Sequence, residues 1–473
     1  MKINSFNDSH MHFLGIGYNT FIIDLSKSTS INKIIDELSS LTNNDKLIAR
    51  GWNQSNLIEN RYPTKQDLNK VSNNIPIILI RTCGHVLVCN EVMMELAGIN
   101  ELTPQIEGGT FDYNTGIFTE KALNLIYKAL PKPSKEEIKQ YFIKANEILL
   151  RNGVTSIGSD DFSTLNVNYE LILECLEELY EDNLIQVRLY EQVNLPNKEI
   201  LLDFINKGYA NKIYKGFKLG PLKLLADGSL GGRTAFLNNP YTDDPNNYGI
   251  KVFTQEELNE LVYIADSNNM DVAIHAIGDG TIDMVIDAIW NAISKTNRNH
   301  HRHSIIHAQL ATKSQIKRMR DLNIAAQVQP IFINSDMTIV KDRLGERSKE
   351  SYLFNTMYKE GVHVSFGTDS PVESVNPFHN LYSAITRKSI KNPKLEVFLE
   401  EEKFSIKDAL KCYTVNPYYL SYDENNYKEF KDYIILDRDI IKCTPKELLE
   451  TKVLETYMNG KLVYKNKRLS KNR

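Results

Sequence analysis

The chain has 473 residues, 42% of them hydrophobic and 25% charged, and a formal net charge of -4. This is the mix of an ordinary folded protein, long enough for about three domains of ~150 residues or for one barrel enlarged by insertions, and without the basic excess that nucleic-acid binding requires. No apolar run approaches the ~18 residues that span a membrane and no secretory leader opens the chain, so a cytoplasmic protein is expected; its five cysteines are scattered and never spaced C-x-x-C, which argues against a disulfide framework or a thiolate zinc site.

The first element is a strand ending in "NDSHMH", with His10 and His12 one residue apart. Side chains two apart on a strand point to the same side, so both imidazoles can address one point in space, such as a metal ion. A half-exposed strand that happens to carry two histidines is the alternative, and the rest of the chain has to decide. From 30 to 131 comes a segment too long for one βα unit, with its own strands at "KLIARGW" and "IPIILIRT"; it reads as an inserted lobe.

Beyond it the pattern is that of parallel strands joined by helices. "SKEEIKQYFIKANEILLRNG" opens on Ser134 as a cap and stops at Gly153, and "TQEELNELVYIADSNN" carries a capping box from Thr254 to Glu257. Seven further strands are expected at 154–159, 185–193, 221–226, 271–276, 303–307, 323–329 and 362–368. With the first they make eight, which predicts an α/β fold of the (β/α)8 TIM-barrel type over 1–29 and 132–419. After about Tyr419 the pattern turns antiparallel, with Asn459-Gly460 as a type I′ hairpin signal, so 420–473 is expected to form a small terminal β-sheet. Its basic tail "KNKRLSKNR" reads as a solvated end.

In such a barrel the active site lies at the C-terminal ends of the strands. The first strand ends in His10 and His12; the fourth places Lys223 in an apolar run; the fifth, sixth and eighth end in His275, His307 and Asp369. Each alone has a structural reading as a satisfied core histidine, a snorkelling lysine or a helix cap. Together they put potential metal ligands at five strand ends. The tract "RNHHRH", with His300, His301 and His303, precedes the sixth strand at the opposite end of the barrel and is expected to be a solvated loop.

With these motifs the chain resembles the amidohydrolase superfamily, in the branch of large enzymes that includes N-substituted formamide deformylase. The resemblance runs in order through "DSHMH", "GWNQSN", "GHVLVCN", "GGTFDYNTGIFTE", "GVTSI", "KLLADGSLGGRTA", "AIHAIGDG", "IIHAQL", "QVQPIF", "GTDSPVESVNPF" and "DYIILDRD". It implies one or two divalent ions, most simply Zn²⁺, on His10, His12, His275, His307 and Asp369. Lys223 falls where relatives carry a carboxylated lysine bridging two metals, and an unmodified Lys223 with a single metal is the alternative. A small-molecule substrate is implied, with Trp52, Arg81, His85, Asn90, Arg233 and Gln329 as candidate contacts and Asp279 as the residue orienting His275. Relatives carry tens of residues before the His-x-His strand, forming half of a β-sandwich, whereas Met1 to Asn7 are all that precede Asp8 here. An N-terminally incomplete sheet of about three strands with an open edge is therefore expected, and with it a tendency to form a homodimer. Two functions follow: hydrolysis of a carbon–nitrogen bond in an amide, N-formyl or cyclic amide group, with Asp369 as proton carrier, or a metal-holding barrel that acts by binding or regulation.

Overall fold

The computed structural model describes residues 1–82, 84, 86–106, 109–120 and 122–467. It divides into two compact units, Met1–Ile16 together with Phe142–Arg473, and Gly17–Tyr141.

The larger unit is built on eight parallel strands, Phe6–Met11, Val154–Ser159, Arg188–Asn194, Phe217–Leu225, Val272–Ala276, Ser304–His307, Ala325–Val328 and Val364–Phe366, hydrogen-bonded in chain order from first to last. All eight expected strands are present; His10, Lys223, His275 and His307 lie within them, while His12 and Asp369 lie just beyond the ends of theirs. The eighth strand meets the first through two backbone bonds: Asp369 N donates to His10 O at 2.9 Å and His12 N to Ser370 O at 2.8 Å. Gly367 makes that closure possible, because a Cβ there would lie 2.8 Å from both the nitrogen and the oxygen of His10. Asp8 locks the seam from inside, its carboxylate accepting from Thr368 N (3.1 Å), Thr368 Oγ1 (2.9 Å) and Tyr413 OH (2.8 Å). Helices cover the outside. Lys135–Arg151 and Gln255–Ser267 are the two anticipated from their caps, and in the second the Thr254–Glu257 capping box forms in both directions.

The terminal sheet has four antiparallel strands rather than three, ordered Lys2–Asn4, Tyr433–Leu436, Val453–Met458 and Lys461–Lys465. The short N-terminal segment supplies the extra one, with Lys2 opposite Ile435. The hairpin turns through Asn459 and Gly460, at φ 50° and 75°, the left-handed pair that a type I′ turn needs. The smaller unit holds a six-stranded mixed sheet with an apolar cluster on each face. Alternation divides its residues, so that Leu79 joins Trp52 and Ile34 on one side while Ile78 joins Phe118 and Met93 on the other. No described helix is long and apolar enough to cross a membrane. The last residues of the basic tail, from 468, lie outside the described residues.

The histidine tract before the sixth strand corrects the sequence reading. His300 is exposed, but His301 and His303 are buried. Val272 N donates to His303 Nδ1 at 3.1 Å, so the ring carries its proton on Nε2 and donates it to Asp266 Oδ1 at 3.0 Å. Arg298 donates to the same oxygen at 2.9 Å. The tract is polar in composition yet fills the base of the barrel, because each of its buried groups finds a partner. Burial pushes the Asp266 carboxyl up, but bonds from His303, Thr296 and Arg298 outweigh it and hold the group down at about 2. Asp266→Ala removes the acceptor shared by buried His303, Thr296 and Arg298, leaving Arg298 its pair with Asp271, and is expected to lower the unfolding free energy by about 2 kcal/mol. Because the folded pKa is depressed, that margin is complete above the unfolded value of ~3.9 and vanishes as pH falls through about 2. Urea titrations of both proteins between pH 7 and 2.5 measure it; a difference below about 1 kcal/mol at neutral pH would contradict the role given to Asp266.

Candidate metal centre

Three donor atoms converge where the first and eighth strands meet. Asp369 Oδ1 lies 3.3 Å from His10 Nε2 and 3.1 Å from His12 Nε2, and all three could hold one ion, lying within 4.8 Å of one another. Asp369 sits at φ 55°, a left-handed conformation that turns its side chain back toward the first strand. Lys223 Nζ is 3.2 Å from His10 Nε2, and the His307 ring centre is 6.0 Å from that of His10 and 4.5 Å from that of His275. The six residues expected to hold metal are thus neighbours at one end of the barrel.

Their tautomers are fixed from behind. Gln192 Nε2 donates to Ser9 O at 3.0 Å, which turns its Oε1 toward His10 Nδ1 at 2.7 Å. Gln329 does the same for His307: its Nε2 donates to Gln327 O at 3.0 Å and its Oε1 accepts from Nδ1 at 2.7 Å. His12 Nδ1 donates to the Asp160 carbonyl at 2.9 Å, and His275 Nε2 to the Gly228 carbonyl at 3.0 Å. In each ring one nitrogen donates to an oxygen that can only accept, so in the neutral imidazole the other presents a lone pair. Two such lone pairs on Asp369 Oδ1 repel unless a proton or a cation lies between them. Burial lowers the His12 pKa, yet Asp369 more than reverses this and holds it at about 9, which is the proton solution. Burial and the charge of Lys223 bring His10 down to about 4, so the second ring cannot use it. A divalent cation satisfies both contacts at once, and nitrogen and carboxylate donors with outer hydrogen-bond partners are what such an ion needs. Lys223 is itself buried, which lowers its pKa.

The remaining candidates fare differently. Asp279 does not reach His275: it begins the helix Asp279–Thr296 and accepts from Asn238 N at 3.1 Å. Asp227 stands beside His275 Nε2 instead, at 3.3 Å, with its carboxylate held by the backbone nitrogens of Ile277, Gly278 and Phe236. Gln329 orients His307 through Oε1 and is itself anchored through Nε2 to Gln327 O. Arg233 is turned to Asp243, with bonds of 3.2 and 3.0 Å. In the smaller unit Asn90 caps the helix Glu91–Leu96 and is bonded on every side, Trp52 is buried against Tyr62, and Arg81 Nε donates to Gln54 at 2.9 Å. His85 lies outside the described residues. Gln192, Asp227 and Asp160 were missed by the sequence reading. The signal for Gln192 was present, a polar side chain near the end of the third strand in "YEQVN".

A barrel with histidine, lysine and aspartate donors gathered at the strand ends is the architecture of a metal-dependent hydrolase. The chain belongs to the amidohydrolase family, whose model matches residues 5–464. It is 31% identical to YtcJ of Bacillus subtilis over 484 residues, covering 97% of this chain and 88% of that protein. It is 26% identical to the N-substituted formamide deformylase of Arthrobacter pascens, covering 88% and 79%. Among solved structures, an uncharacterized metal-dependent hydrolase from Pyrococcus horikoshii superposes with a TM-score of 0.80 at 32% identity, covering 94% of this chain and 87% of that one.

The outer hydrogen bonds are expected to carry a measurable share of metal affinity. Gln329→Leu releases the His307 ring and is expected to weaken metal binding ~10- to 100-fold with the fold retained. Competition against a chromophoric chelator measures this; an unchanged affinity would show that Gln329 does not set the ring.

Proposed function

We propose that this protein hydrolyses carbon–nitrogen bonds of small, non-peptide amides, N-formyl or cyclic amides among them, in the cytoplasm, using one or two zinc ions. The observation that carries this reading is the set of imidazole lone pairs facing a single carboxylate, Asp369, with no proton to share between both pairs. His10, His12 and Asp369 would hold a divalent ion, which would supply a water made nucleophilic at neutral pH and a polarised carbonyl. Asp369 takes the proton from the attacking water and returns it to the leaving nitrogen, acting first as base and then as acid. His10, His12, His275 and His307 hold their rings still through Gln192, Asp160 O, Gly228 O and Gln329. Lys223, buried beside His10, is the residue we assign as carboxylated in the two-metal form. The name of the Arthrobacter pascens relative, a deformylase of N-substituted formamides, supports the substrate class, and the free thiols of Cys89, Cys175, Cys412 and Cys443 suit a reducing compartment.

A panel of N-formyl, N-acyl and cyclic amides, set against dipeptides, tests the proposal on zinc-loaded protein. Turnover of at least one amide without turnover of dipeptides is expected; hydrolysis of dipeptides alone would overturn the substrate class. On whichever amide is cleaved, Asp369→Asn should lower kcat ~10²- to 10⁴-fold with KM little changed, because an amide side chain cannot accept the proton. Wild-type kcat in that variant with its metal retained would remove Asp369 from the proton path.

A further inference from the structure

The opposite end of the barrel is hollow. A cavity of about 260 Å³ opens between the starts of the third, fourth and sixth strands and runs inward to Ser9, Gln192 and Gln327. Its walls are aromatic: Tyr190, Phe217, Tyr418 and Phe430 all line it. The charges around it are spent on neighbours. Arg188 pairs with Asp432, Lys218 with Asp423 at 2.7 Å and Arg302 with Glu424 at 2.6 Å, while Asp271 accepts from Arg298 at 2.9 Å. The inner amides are also occupied, Gln192 Nε2 donating to Gln327 Oε1 at 3.0 Å and Gln327 Nε2 to Ser304 Oγ at 2.7 Å. Two hydroxyls that line it, those of Ser9 at the inner end and of Tyr214 nearer the mouth, are buried and have no hydrogen-bond partner among the described residues. An unpartnered buried hydroxyl at the inner end of an aromatic-walled cavity is a polar group in want of a ligand. The mouth is open to solvent past Ile213, which is 71% exposed.

We propose that this cavity is a second small-molecule site, distinct from the metal centre, which takes an uncharged amphipathic ligand: one ring or short apolar body between the aromatic walls, with a hydroxyl or carbonyl at its inner end bonded to Ser9. The size admits about one ring, and the paired charges give a ligand ion nothing to bind. The inner end adjoins Gln192, whose Oε1 holds His10 Nδ1 at 2.7 Å, so the occupant sits one hydrogen bond behind a metal ligand.

Benzyl alcohol is a suitable probe, with benzoate and benzylammonium as charged matches, titrated calorimetrically into the full-length zinc-loaded protein. Benzyl alcohol is expected to bind with a Kd of about 1 mM, and both ions at least about tenfold more weakly. Ser156→Leu, which fills the cavity beside Tyr418, should weaken the alcohol at least tenfold. Wild-type crystals soaked in benzyl alcohol should show it between Tyr190 and Tyr418; this reading stands without the variant and without any hydrolytic activity. Absence of binding at about 10 mM, equal affinity for benzoate, undiminished binding by folded Ser156→Leu, or density only at the metal end would overturn the site.

Discussion

Two imidazole nitrogens and one carboxylate oxygen meet within hydrogen-bond distance, and the rings' other nitrogens are already committed as donors. His10 Nε2 and His12 Nε2 approach Asp369 Oδ1 at 3.3 and 3.1 Å because Gln192 and the Asp160 carbonyl hold their far sides. Like-signed lone pairs cannot be packed this closely in a dry interior without a positive charge to share. One proton, on His12, answers one contact; a divalent ion answers both. The outer glutamines and carbonyls exist in this arrangement to make the proton the poorer answer, since each prevents a ring from turning its protonated nitrogen inward.

That conflict can be held only if the barrel closes accurately, and the closure leaves the backbone little room. The first and eighth strands come close enough only because position 367 has no Cβ, and Asp8 ties Thr368 to the first strand from inside. Burial pushes the Asp8 carboxyl up to about 7 against the bonds from Tyr413 and Thr368, so this seam is costly to maintain and is sited where its rigidity serves the metal donors. From there Asp369, at φ 55°, is delivered to the two histidines rather than to solvent. The same backbone bonds that join the strands therefore set the geometry of Asp369.

Much of this was legible in the sequence, for identifiable reasons. Parallel strands buried on both faces read as short apolar runs, and a ligand at the end of such a run stands out, as His275 does after "VAI" and His307 after "SII". What could not be read was which polar residue turns toward which. Asp279 lies four residues from His275 along the chain, yet the helix it begins carries it to Asn238, and Asp227 from the preceding strand end takes the place beside the ring. Gln329 looked like a substrate contact because it follows a strand; its amide is turned to His307 and Gln327. His301 and His303 looked solvated because composition does not reveal that Asp266 and Val272 N are waiting for His303, on whose ring His301 stacks. The fourth strand of the terminal sheet was missed because Lys2–Asn4 is three residues long and acquires its identity only by pairing with Tyr433–Leu436.

The central claim is that a divalent ion, held by imidazole and carboxylate, resolves the contact at Asp369. X-ray absorption at the zinc edge on the protein as purified from zinc-supplemented cells tests it most directly. The account predicts at least one ion per chain in a shell of nitrogen and oxygen at about 2.0 to 2.2 Å, with the outer scattering of imidazole rings that diminishes in His10→Ala/His12→Ala. A shell containing sulfur, or zinc well below one per chain in folded wild-type protein, would contradict it.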